Sequence, residues 1–120
     1  MKTRGEHEAA FSQAVIKFEK EFLGRGPEDV RTYFIEDMVL MRVRGVLTPA
    51  EVKLSETDEG RMLVKDARTR LFEISLPFIE DMVHDILGCD VISMHTDIST
   101  RTGERVILLT VNENLDKRFS

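Results

Sequence analysis

The sequence predicts an α+β domain, a two-layer sandwich with helices on one face of a four-stranded antiparallel sheet. Three observations predict it. Apolar residues recur at helical spacing in two long segments, Phe11 to Phe22 and Leu63 to Met82. Two stretches rich in β-branched and aromatic residues, 30–43 and 91–111, read as hairpins. The signals follow one another in the order α-β-β-α-α-β-β, which suits helices segregated to one side of an antiparallel sheet.

The first helix reads from about Glu6 to Leu23. Phe11, Val15, Phe18 and Phe22 form its stripe, with Lys17, Glu19, Lys20 and Glu21 on the other faces. Gly24 and Gly26-Pro27 end it, because glycine takes the left-handed cap and proline cannot continue the helix. Val30 to Ile35 and Met38 to Val43 form the first hairpin across Glu36-Asp37, a turn unusual in lacking glycine. In the second strand Val39, Met41 and Val43 point one way and Leu40, Arg42 and Arg44 the other. Thr48-Pro49-Ala50-Glu51 starts a short helix: Thr48 caps, Pro49 fits the first helical position and Glu51 completes a capping box.

Ser55 to Gly60 reads as a break, and a long helix then runs to Leu87. Leu63, Ala67, Leu71, Ile74, Phe78 and Met82 form its expected core stripe, flanked by Val64, Ile79, Val83 and Ile86. Pro77 predicts a kink rather than an end, since it leaves the Glu73 carbonyl unpaired. Such a helix is about 45 Å long, more than a domain of this size needs. Either it wraps the sheet or its far half packs on a second subunit. Gly88 caps it, and Val91 to Ile98 and Arg105 to Val111 form the second hairpin, with Ile92, Met94 and Ile98 expected on the core face. The segments FLGRGPEDV…RTYFIEDMVLMRVRG and ILGCDVISMHTDISTRTGERVILLTV share the order helix, Leu-Gly, hairpin. A duplicated αββ unit accounts for that, as does the general frequency of helix–Gly–hairpin segments.

The 120 residues make one expected domain, 1–120, with its ordered core at about 8–112 and a C-terminal tail at 113–120. A net charge of −5 argues against general nucleic-acid binding, which needs a basic surface, and against adhesion to anionic lipid. The single cysteine, Cys89, excludes an intramolecular disulfide and a thiolate-cluster metal site. No stretch approaches the length of a membrane span, and the N-terminus has acids where a secretion signal needs an apolar run. The expected location is the cytoplasm, at most peripheral to a membrane.

Candidate chemistry gathers on the sheet. His95 and Asp97 lie two apart on one strand and so share a face with Ser93 and Ser99. That pairing suits a proton acceptor with a carboxylate partner, and equally a solvated face with a stabilising pair. Arg42 and Arg44 can hold a carboxylate, phosphate or bicarbonate in a planar fork, and Arg101 sits in the neighbouring Gly103 loop. Cross-strand ion pairing explains the same arginines without a ligand. Walker, His-x-x-x-His, Gly-x-Ser-x-Gly and dinucleotide motifs are absent, so no cofactor, metal or catalytic residue is assigned.

The segments FEKEFLGRGPEDVRTYFIEDMVLMRVRGVLTPAE, EGRMLVKDAR and SMHTDISTRTGERVILLTV resemble the MpsC family of small bacterial domains over about Glu8 to Val111. The resemblance implies association with a sodium-translocating, membrane-potential-generating system. It carries no catalytic residues. Without a membrane span the chain is not itself a conduit. The expected function is a non-enzymatic cytoplasmic accessory or regulatory module, a homodimer or higher homo-oligomer, linked to a membrane cation or bicarbonate transporter. The alternative is a small-ligand sensor for an anion or nucleotide, using Arg42, Arg44, His95, Asp97 and Arg101. A third reading is an acid–base enzyme using His95 and Asp97.

Overall fold

The computed structural model describes residues 3–120; the first two residues of the expected domain lie outside it. Helix α1 (Arg4–Leu23) leads into strands β1 (Asp29–Ile35) and β2 (Met38–Arg44). Helices α2 (Pro49–Leu54) and α3 (Asp58–Leu87) follow, then β3 (Val91–Ile98), β4 (Arg105–Val111) and a short α4 (Leu115–Arg118). The strands form one antiparallel sheet in the order β1-β2-β4-β3. Each hairpin thus contributes one edge and one inner strand, the arrangement expected of two αββ units facing each other across a twofold between β2 and β4.

Helix starts follow local chemistry. Glu51 N–H donates to Thr48 Oγ1 (3.2 Å) and Thr48 N–H to Glu51 Oε1 (3.0 Å), the reciprocal bonds of a capping box. Thr3 and Glu6 make the same box, so α1 begins before the Glu6 expected from its stripe. Thr57 caps α3, accepting from Gly60 N–H at 3.0 Å. A Cβ on Gly60 would fall 1.7 Å from the Leu54 carbonyl oxygen, so only glycine lets α3 start this close to the end of α2.

The core lies between the sheet and the helices. Phe11 and Val15 of α1 and Val64, Phe72, Ile79 and Val83 of α3 meet Phe34, Val39, Met41, Val43, Ile107 and Leu109 of the sheet. The rotation of α3 corrects the sequence reading. Its buried stripe is Gly60, Val64, Arg68, Phe72, Ser75, Ile79, Val83 and Leu87, one position on from the expected one. Leu63, Ala67, Ile74 and Phe78 face solvent, and Leu71 and Met82 are half-buried. The true stripe contains an arginine and a serine, whose polarity hides it. The helix continues through Pro77 and, at 30 residues, matches the 47 Å long axis of the molecule. It therefore does not wrap the sheet.

Two further corrections concern the ends of strands. The register slips between Val91 and Ser93, which turns Ile92 out of the expected core face. Ile92 is exposed. Residues 115–118, read as tail, form α4, and Leu115 is fully buried. This helix explains the turn without glycine. Glu36 has φ +56°, a conformation that disfavours side chains. Its N–H donates to Asp116 Oδ2 (3.0 Å) and its carbonyl accepts from Leu115 N–H (2.6 Å). Arg4 in turn holds Asp116 at 2.7 Å.

Replacing Glu36 by glycine relieves the left-handed strain at the cost of some chain entropy. Glu36→Gly is expected to raise the unfolding free energy by about 0.5–1 kcal/mol, read from urea denaturation with an unchanged m-value.

Candidate functional site

Among the described residues, the side chains on the outer face of β1, β2 and β4 are exposed or half-buried. Successive rows across β1, β2, β4 and β3 are Arg31, Arg42, Val106, Asp97 and then Tyr33, Leu40, Leu108, His95. Arg42 and Asp97 are therefore separated by the β4 strand, about 10 Å at two strand spacings. Asp97 Oδ1 accepts from Ile98 N–H (2.8 Å) and lies 3.1 Å from Lys65 Nζ. The backbone bond first, then Lys65, hold its carboxyl below the usual carboxylate range. His95 is exposed and makes no hydrogen bond among the described residues, so the Asp97 carboxylate serves Lys65 and the strand end rather than the imidazole.

The arginines meet elsewhere. Arg42, Arg44 and Arg101 line one open recess of about 470 Å³ beside the 99–104 loop. Glu104 occupies the fork: Arg42 Nη2 donates to Glu104 Oε2 at 2.7 Å, and Arg44 Nε lies 3.7 Å from the same oxygen. Arg42's hydrogen bond lowers the Glu104 carboxyl, and the same contact raises the guanidinium. The sheet thus brings together Arg42, Arg44 and Arg101 with an internal counter-ion, and leaves His95 and Asp97 apart from them.

A second polar constellation lies inside the molecule, at residues the sequence reading assigned to no site. Arg68 is almost wholly buried. Its Nε–H donates to Glu51 Oε2 (2.8 Å), and its Nη2 donates to Glu51 Oε1 (2.6 Å) and the Val46 carbonyl (2.6 Å). Burial alone would push the Glu51 carboxyl up; the bonds from Arg68 and Thr48 with the Arg68 charge bring it below its ordinary range. Arg105 Nη2 donates to the Arg68 carbonyl at 3.0 Å, and its guanidinium lies over the Phe72 ring. Glu19 of α1 is also buried, and that burial raises its carboxyl despite the attraction of Arg105 and Arg68.

A signal for these residues exists in the chain. Glu19 continues the stripe Phe11, Val15; Arg68 stands between Val64 and Phe72; Arg105 opens the alternation Ile107, Leu109, Val111. Each is a charge at a core-facing position, which demands a buried partner. Among the described residues no cluster of three or more His, Cys, Asp or Glu side chains could hold a metal ion. Nor is any helix long and apolar enough to cross a membrane.

Two outcomes follow from the buried charges. Arg68→Ala strands Glu51 and the Val46 carbonyl, and is expected to cost about 3–5 kcal/mol in urea denaturation. Glu19 works through pH. Its folded carboxyl keeps its proton to higher pH than the unfolded one, so the folded state binds more protons and loses stability as pH rises through that window. Glu19→Gln removes this loss. The variant should be more stable than the wild type at neutral pH, with the difference closing below about pH 4 in thermal melts.

Residues 3–113 match the family described as the Na+-translocating membrane potential-generating system (MpsC). Uncharacterized protein YbcI of Bacillus subtilis (strain 168) is 37% identical over 118 residues, covering 98% of this chain and 95% of its own. Uncharacterized protein YrhF of the same organism is 27% identical over 109 residues, covering 90% and 89%. No solved structure matches. With a family match that takes in α1, the whole sheet and α3, the chain belongs to the MpsC family.

Proposed function

We propose that the protein is a non-enzymatic accessory module that self-associates through α3 and serves a membrane cation or bicarbonate transport system. The observation that carries self-association is the exposed face of α3. Leu63, Ile74 and Phe78 each keep more than half of their surface in solvent. With Ala67 they repeat at helical spacing along a 30-residue helix. Phe18 and Phe22 of α1 extend the stripe, their rings stacked at 5.0 Å and Phe78 tilted 5.7 Å from Phe18. Such a patch is on the order of 500 Å², the upper range for a monomer and more than half of one side of a standard interface. A straight apolar ridge on a long helix is complementary to another helix, and a second copy supplies one. The link to transport rests on the family description, and the protein's part in it would be regulation or assembly at the membrane surface.

Sedimentation equilibrium tests the first part. The wild type is expected to form dimers or higher oligomers at micromolar concentration. Leu63→Lys with Ile74→Lys should be monomeric, with unchanged circular dichroism and stability within about 0.5 kcal/mol, because both side chains lie mostly in solvent. A wild type that stays monomeric at high micromolar concentration rejects the interface. A tagged pull-down from gently solubilised cells tests the second part: retention of an integral membrane cation or bicarbonate transporter supports the role, and recovery of the protein only with itself counts against it.

A further inference from the structure

A small cavity lies between α1 and α3, and its floor is charged while its walls are not. Phe18, Phe22, Leu71, Ile79 and Met82 are among the wall residues; Glu19 and Arg105 stand at the polar end. Both charged residues are 5% exposed. They do not satisfy one another: Glu19 makes no hydrogen bond and no ion pair within 4.0 Å among the described residues. Arg105 donates through Nη2 to the Arg68 carbonyl, but its Nε–H is buried without a partner. An orphaned guanidinium N–H is costly, and buried polar groups nearly always have a partner, bound water or guest included.

Charge accounting sharpens the point. Arg68 is neutralised by Glu51 through two hydrogen bonds. Glu19 neighbours Arg105 without touching it, and burial raises its carboxyl. Arg105 makes no ion pair within 4.0 Å among the described residues, and it lines the same cavity as Phe18, Phe22 and Leu71. We propose that the α1–α3 cleft is a binding site for an amphipathic monocarboxylate, its head group on Arg105 and its alkyl chain between Phe18, Phe22 and Met82. The carboxylate accepts from Arg105 Nε–H and pairs with the guanidinium charge. A multiply charged oxyanion fits less well, because its remaining oxygens would be desolvated against phenylalanine. In the present conformation the cavity measures about 20 Å³, room for one water. The chain of the ligand therefore enters by rotation of Phe22 and Met82, which are exposed and half-buried respectively. The site lies within one chain and does not rest on self-association.

The test is titration of 1-¹³C-decanoate into the full-length protein, followed by calorimetry and ¹³C and methyl NMR, with 1-decanol as the neutral-headed control. The expected result is a saturable one-to-one complex at micromolar decanoate, with methyl shifts at Leu71, Ile79 and Met82. Arg105→Met should weaken it roughly 10- to 100-fold, as for loss of a charge-assisted hydrogen bond. Glu19→Gln, which removes a carboxylate beside the head group, should bind as well as the wild type or better. Absence of binding at millimolar decanoate overturns the proposal, as does equal affinity for decanol or an unchanged affinity in Arg105→Met. Should Arg105→Met fail to fold, the wild-type shift map decides: shifts confined to the cleft support the site, and shifts only at exposed Leu63 and Ile74 reject it.

Discussion

The rotation of α3 on the sheet follows the pairing of Arg68 with Glu51. Arg68 joins α3 to α2 through both carboxylate oxygens and to the chain before α2 through the Val46 carbonyl. The Arg68 carbonyl receives Arg105, which brings in β4. A buried ion pair is tolerated only when every hydrogen-bonding position is filled, so the pair permits one rotation of α3 and no other. Turning the helix by one residue would exchange Val64, Phe72, Ile79 and Val83 for Leu63, Ala67, Ile74 and Phe78, and would carry Arg68 away from Glu51 and the Val46 carbonyl. The purely apolar stripe is therefore the one left outside. The exposed apolar face of α3 is a by-product of where the charge had to go.

The same reasoning explains how much of the structure was legible in the sequence. The sheet, the helix order and the Thr48 start depend on local chemistry and on strict alternation, and these can be read residue by residue. The Thr3 box carries the same local signal as Thr48. Helix α3 misleads because a pattern of apolar and polar letters treats arginine as a surface residue. Nothing near Arg68 in the chain announces that Glu51, 17 positions earlier, will meet it. Ile92 fails for a related reason: alternation assumes an unbroken register, and the slip at the start of β3 depends on its pairing with β4.

The candidate sheet site divides along the same line. Arg42 and Arg44 share a face because they are two apart on one strand, but Arg101 and Glu104 join them only through the pairing of β2 with β4. Whether they reach His95 and Asp97 depends on strand order, which no local signal encodes. With β4 inserted between β2 and β3, Val106 and Leu108 fill the rows that would have joined them. Glu19 and Arg105, in contrast, are brought together by the packing of α1 over the sheet. They look unremarkable until both are seen to be buried.

The clasp of α4 on the Glu36 turn changes the order in which the chain can become ordered. A two-residue hairpin is ordinarily a local event, complete within microseconds of its strands being available. Here the turn residue sits in a conformation that costs energy, and its N–H and carbonyl are held by Asp116 and Leu115, 80 residues further on in the case of Asp116. A nascent chain that has released β1 and β2 from the ribosome still lacks the clamp that fixes their connection. The earliest hairpin to be made is thus among the last to be locked, and a nominally short-range turn behaves in folding as a long-range contact.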